Sequence, residues 1–215
     1  MEKLIEYLRD FNSKERFFLI GQILDNPKFK PSEKFRKELG KTLGLQIPEQ
    51  VFSAMDYHID WIFASLELAA HGDTLRSHPN PNKIIKAQQE DVDFLIAYDD
   101  NKQTHLIFIE AKGVTGFTNK QMDSKMERLK QIFGDSGNKY QNVTPHFILM
   151  APSEPTTRLH SNKWPAWAKN TNKNVICLKL STPENLKSIS RCNENGDENK
   201  KGTHWKIVSR KYKRD

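Results

Sequence analysis

"EDVDFLIAYDDNKQTHLIFIEAKG", residues 90–113, decides how the chain is read. It divides into two strongly apolar stretches, 91–98 and 104–111, joined by a polar turn. The run lengths and the β-branched and aromatic content predict a hairpin of two buried strands. Each strand nevertheless carries charge: Asp93 in the first, Glu110 and Lys112 at the end of the second. With the turn centred on Asn101 and Lys102, antiparallel pairing sets Asp93 opposite or nearly opposite Glu110. Side chains on one face repeat every second residue, so Glu110 and Lys112 share a face. Three charged groups therefore converge where both faces of the strands look buried. Two carboxylates held together there repel each other and lose solvation. A divalent cation removes both costs, and carboxylate oxygens suit Mg²⁺ or Mn²⁺.

Outward from the hairpin, residues 2–43 read as two or three helices. Leu4, Ile5, Leu8, Phe17, Phe18, Ile20 and Leu24 recur at helical spacing, with Pro27 and Pro31 as punctuation. Ser32 is the expected N-cap of a helix carrying Phe35, Leu39 and Leu43, stopped at Gly44. A long helix is expected from Glu49 to His71, ended by Gly72, followed by a loop over 73–89. After the hairpin come a helix over 119–133, strands at "TPHFILMAP" and "NVICLKL", and a short helix at "KWPAWAKN" between them. The tail from Ser188 is polar, then recovers strand character at "THWKIVSR" before a basic end, "RKYKRD". The order predicts an α/β protein with a mixed sheet flanked by helices. We divide it into an N-terminal helical segment, 1–48, and a single domain, 49–215.

The 215 residues carry a net charge of +7 and a pI near 9.3. That balance concerns partners rather than fold, and it favours polyanions, nucleic acid first. The longest apolar runs fall short of the ~18 residues that span a bilayer. The N-terminus lacks a signal-peptide core, and two cysteines, Cys177 and Cys192, show no metal-finger spacing. These features predict a cytoplasmic protein with no membrane partner. The seven histidines are scattered, with no HExxH, and neither a Ser or Cys nucleophile motif nor a phosphate-binding glycine loop is present.

Asp93 followed seventeen residues later by Glu110-Ala111-Lys112, each at the end of an apolar strand, with a helix before and a helix and strand after, resembles the PD-(D/E)XK nuclease superfamily. The resemblance covers about 49–150. It implies a restriction-endonuclease-like core and a Mg²⁺- or Mn²⁺-dependent nuclease, an endonuclease acting on DNA, with RNA and a homodimer kept as alternatives. It implies that Asp93, Glu110 and the carbonyl of Ala111 hold the metal and that Lys112 orients or deprotonates the attacking water. It also implies an acidic residue from the preceding helix. Asp56, Asp60 and Glu67 lie within about 40° of one another on a helical wheel, and Asp60 is the first choice, Glu67 the second. Gln121 on the following helix is the implied polar residue of the site, with Lys125 and Arg128 near phosphates. The chain departs from the pattern at Val92, where proline is common, and Asp91 rivals Asp93 because it shares its face. Two other readings compete: an inactive nucleic-acid-binding protein of the same fold, and an assembly subunit.

Overall fold

The computed structural model describes residues 2–23, 29–73, 77–87, 90–155, 159–183 and 185–209. Three helices come first: α1 (Glu2–Asp10), α2 (Glu15–Ile23) and α3 (Glu33–Leu43). Then follow β1 (Phe52–His58), α4 (Ile59–His71), β2 (Asp91–Asp99), β3 (Thr104–Ala111), α5 (Asn119–Phe133), β4 (Val143–Ala151) and β5 (Cys177–Lys179). The chain finishes with β6 (Lys187–Cys192) and β7 (His204–Ser209). Strands β1 to β5 form one sheet in chain order, and β6 and β7 form a separate pair. The first two pairings, β1–β2 and β2–β3, are antiparallel, and β3–β4 and β4–β5 are parallel. The protein is thus α/β with a mixed five-stranded sheet, as the sequence predicts.

The sheet is covered on both faces. Leu95, Ala97, Leu106, Phe108, Phe147 and Leu149 pack against α1, α4 and α5 through Leu8, Ile62, Leu66, Met126, Leu129 and Phe133. On the other face Ile96, Tyr98, Ile107, Ile109 and Ile148 meet Leu39 of α3, with Phe35 and Leu43 partly buried beside it. A central strand buried on both faces reads as continuous apolar sequence rather than alternation, which is the pattern of 106–109. The hairpin turn closes where the Asp100 carboxylate accepts from the backbone N–H groups of Lys102 and Gln103 at 2.9 and 2.8 Å. Asn101 supplies the left-handed residue of the turn, at φ 70°.

Local signals place the helix ends. The Ser32 hydroxyl caps α3 by accepting from the Phe35 N–H, and Gly44 ends that helix at φ 69°. Thr118 caps α5 in the same way, accepting from the Gln121 N–H. The expected "KWPAWAKN" helix is instead two single 3₁₀ turns, Ser161–Lys163 and Ala166–Ala168. Leu24, Pro27, part of the 73–89 loop and the basic end from Arg210 lie outside the described residues.

The largest departure from the expected elements lies in residues 49–71. The expected helix over 49–71 is a strand up to His58 and a helix only from Ile59. Phe52, Met55, Ile59 and Ile62 fit helical spacing, but β2 is flanked on one edge by β3 and needs backbone partners on the other. Residues 52–58 supply them, from Phe52 opposite Ala97 to His58 opposite Asp91. Tertiary pairing overrides the local period there. The polar stretch 187–192 likewise forms a strand that composition did not announce.

Phe108 is fully buried at the middle of β3. Phe108→Ala should lower unfolding free energy by about 3–5 kcal/mol, measured by urea denaturation, with the far-ultraviolet spectrum retained.

Candidate active site

The β2–β3 register pairs Phe94 with Ile109, so the next step sets Asp93 across from Glu110, as the turn position predicts. The Asp93 carboxylate accepts from the Ala111 N–H at 2.7 Å, which ties it to the end of β3. Glu110 shares the face of Leu106 and Phe108, beneath α5. It is 0 % exposed, and its Oε1 accepts from the Lys125 ammonium. Its other oxygen, Oε2, is buried with no hydrogen-bond partner among the described residues. Lys125, 3 % exposed, also donates to the backbone carbonyl of Asp91.

Burial pushes the Glu110 carboxyl above the ordinary carboxylate range, against the pull of Lys125; Asp93 pushes it further up and Lys112 draws it down. Lys112 is half-buried, its ammonium 6.0 Å from the centroid of the Phe117 ring. Its backbone N–H donates to the Met150 carbonyl at 2.9 Å, continuing the β3–β4 pairing one residue past the strand. Strand register and alternation bring Asp93 and Glu110 to the same end of the central strands, with Lys112 two residues past Glu110.

The other expected acidic residues have partners of their own. Asp60 has both oxygens engaged: Arg128 donates to Oδ1, and the N–H groups of Lys86 and Ala87 reach the carboxylate at 3.2 and 2.8 Å. Its position in the first turn of α4 suits a negative charge. Glu67 accepts from the Tyr140 hydroxyl at 2.6 Å, with the His71 ring 3.8 Å from its other oxygen. Asp56 lies on β1 at φ 48° and pairs with Arg16 at 3.1 Å, so the helical wheel that grouped it with Asp60 and Glu67 does not apply. Asp91, the rival for the aspartate role, turns its side chain towards Lys14 at 3.4 Å.

Lys125 and Arg128, expected near phosphates, are buried cations with internal partners. Arg128 bridges Asp60 and, at 3.0 Å, Glu90, which also accepts from the Ser124 hydroxyl. The sequence carried a signal for this. Lys125 lies three residues after Met122 and four before Leu129, and Arg128 lies four before Ile132, so both fall inside the apolar stripe of α5. Gln121 is exposed in the first turn of that helix.

A second polar cluster, unannounced by any motif, sits at the other end of β3. His105 Nδ1 lies 3.0 Å from His146 Nε2, and His105 Nε2 lies 3.2 Å from the Asp100 carboxylate. Burial pushes His146 down to about 4, helped by His105. Among the described residues no group of three or more His, Cys, Asp or Glu side chains can hold a metal ion. A cation at the hairpin would rest on two carboxylates, a backbone carbonyl and water, a donor set that Mg²⁺ accepts.

The chain has no match among family models, curated proteins or solved structures.

Lys125→Met leaves the buried Glu110 carboxylate without its counter-charge and should cost about 3–5 kcal/mol at neutral pH. Glu110 binds its proton more tightly folded than unfolded, so stability falls as pH rises through and above the ordinary carboxylate range. The Lys125→Met deficit should therefore shrink as pH is lowered, measured by urea unfolding across a pH series. The paired substitution Glu110→Gln with Lys125→Met should recover most of the loss. A paired variant as unstable as Lys125→Met alone would contradict this account of the pair.

Proposed function

We propose that this protein is a metal-dependent nuclease of the PD-(D/E)XK kind, with a restriction-endonuclease-like core, hydrolysing phosphodiester bonds in DNA. One observation carries the reading: Asp93 and Glu110 face each other across β2 and β3, and Glu110 holds a buried carboxylate oxygen that no group among the described residues satisfies. A buried polar atom without a partner costs about 1–3 kcal/mol, more when charged, and a divalent cation would relieve it. Asp93, Glu110 and the Ala111 carbonyl are the groups that would hold Mg²⁺ or Mn²⁺. Such an ion, when bound, supplies Lewis-acid stabilisation of a phosphoryl oxygen and an acidified water.

The chain's own residues divide the remaining work. Glu110 and Asp93 orient whatever occupies the space between them, because each is anchored through backbone or ion-pair contacts. Lys112, two residues on and half-buried, positions the attacking water or offsets charge on the phosphorane. Lys125 offsets part of the cost of burying the Glu110 carboxylate. Asp60 and Arg128 act through structure, holding the segment 84–87 and α5 together. They do not contact substrate in this reading.

A second reading has a specific observation behind it. The Lys125 ammonium already sits on Glu110 as an internal cation, and such a site is satisfied in part without metal. The protein would then bind nucleic acid with the same fold and leave it uncut.

Cleavage separates the two. Supercoiled and linear DNA incubated with Mg²⁺ or Mn²⁺ should be cut, and EDTA should stop the reaction. Asp93→Asn, Glu110→Gln and Lys112→Ala should each lower the rate by orders of magnitude, Lys112→Ala with DNA affinity changed by no more than one phosphate contact. DNA that stays intact under all conditions while binding tightly would favour the second reading. Asp60→Asn should lower stability, with cleavage by the remaining folded protein close to wild type.

A further inference from the structure

Among the described residues, the paired strands β6 and β7 leave one face without a partner. Their register sets Ile189 opposite Ile207 and Arg191 opposite Trp205, with Lys187 opposite Ser209. These side chains share the outward face, and Ile189, Trp205 and Ile207 are 70, 64 and 62 % exposed. Half of the large hydrophobic residues found exposed in the described structure thus lie on this one small ribbon. The ribbon itself is firmly made. Arg191 donates to the Gly202 carbonyl, Lys206 to the Gly196 carbonyl at 2.7 Å, and a Cβ at Gly202 would lie 2.0 Å from the Cys192 carbonyl oxygen. An apolar stripe held out on a rigid support marks an interaction surface.

Charge selects the occupant. The ribbon from Lys187 to Ser209 carries five Lys and Arg against three Asp and Glu, and the sequence after it adds four Lys and Arg and one Asp. Among the described residues neither Lys187 nor Arg191 makes an ion pair. A second copy would bring like charge against like charge, which disfavours self-association through this face. A polyanion with flat apolar groups meets both features, because bases stack on exposed aromatic rings while cations track the phosphates.

We infer that the β6–β7 ribbon docks a single-stranded or locally unpaired polynucleotide, with Trp205 as the stacking platform and Lys187 and Arg191 on adjacent phosphates. The choice of nucleic acid over an anionic lipid surface rests on the nuclease reading above; the stacking role of Trp205 does not depend on cleavage.

The test is binding of labelled oligothymidylate by the full chain in EDTA, followed by fluorescence anisotropy, so that cleavage plays no part. Trp205→Ala should weaken binding roughly 5- to 100-fold and Trp205→Phe much less. Lys187→Gln should reduce the slope of log affinity against log salt by about 0.7. Duplex of the same length should bind more weakly than the single strand. Equal affinity of wild type and Trp205→Ala for oligothymidylate would overturn the proposal. So would Trp205-dependent binding to phosphatidylserine vesicles by a protein that ignores oligothymidylate. Binding that behaves as expected in a protein that never cuts DNA would uphold the ribbon and remove the nuclease.

Discussion

A carboxylate buried at the end of the central strand must be neutralised, and the Glu110–Lys125 pair is how this protein meets that constraint. Taking two ions out of water costs several kcal/mol each, and their attraction repays this only with good additional hydrogen bonds. Lys125 has one, to the Asp91 carbonyl; one Glu110 oxygen finds no partner among the described residues. Judged as a stabilising device the pair is a poor one. Apolar residues of similar volume would fill the space at least as well. The arrangement is understandable if the unsatisfied oxygen has work to do with a ligand.

The pair also fixes geometry. Lys125 ties α5 to both hairpin strands, through the side chain of β3 and the backbone of β2. One turn further along, Arg128 ties the same helix to Asp60 at the start of α4 and to Glu90 just before β2. Two buried cations on one helix thereby set α4, the 84–87 segment and the hairpin in mutual register. The consequence reaches the surface: with Lys125 and Arg128 committed inside, α5 does not supply them to a polyanion, and the basic C-terminal ribbon is the stronger candidate.

Much of this is legible in the amino-acid sequence. The 104–111 strand, the 119–133 helix and the placement of Asp93 against Glu110 follow from apolar run length, turn position and strand pairing, all local quantities. What was not legible depended on partners distant in sequence. Residues 52–58 satisfy a helical period and become a strand because β2 needs an edge partner. Lys125 and Arg128 fit a solvated helix face as well as an apolar stripe, and only the buried carboxylates opposite decide between them. Asp60 illustrates the same limit: its position at a helix edge suggested a cleft, and a guanidinium from 68 residues away fills it.

The central claim is that the Glu110 carboxylate is held buried for a cation. Calorimetric titration of the wild-type protein with Mn²⁺, alongside Glu110→Gln, tests it most directly. Wild type should bind Mn²⁺ with release of protons at mildly acidic pH, because burial raises the Glu110 pKa and the metal must displace that proton. Glu110→Gln should lose both the binding and the proton release. Undiminished Mn²⁺ affinity in Glu110→Gln, or no Mn²⁺ binding by the wild type at all, would contradict the account.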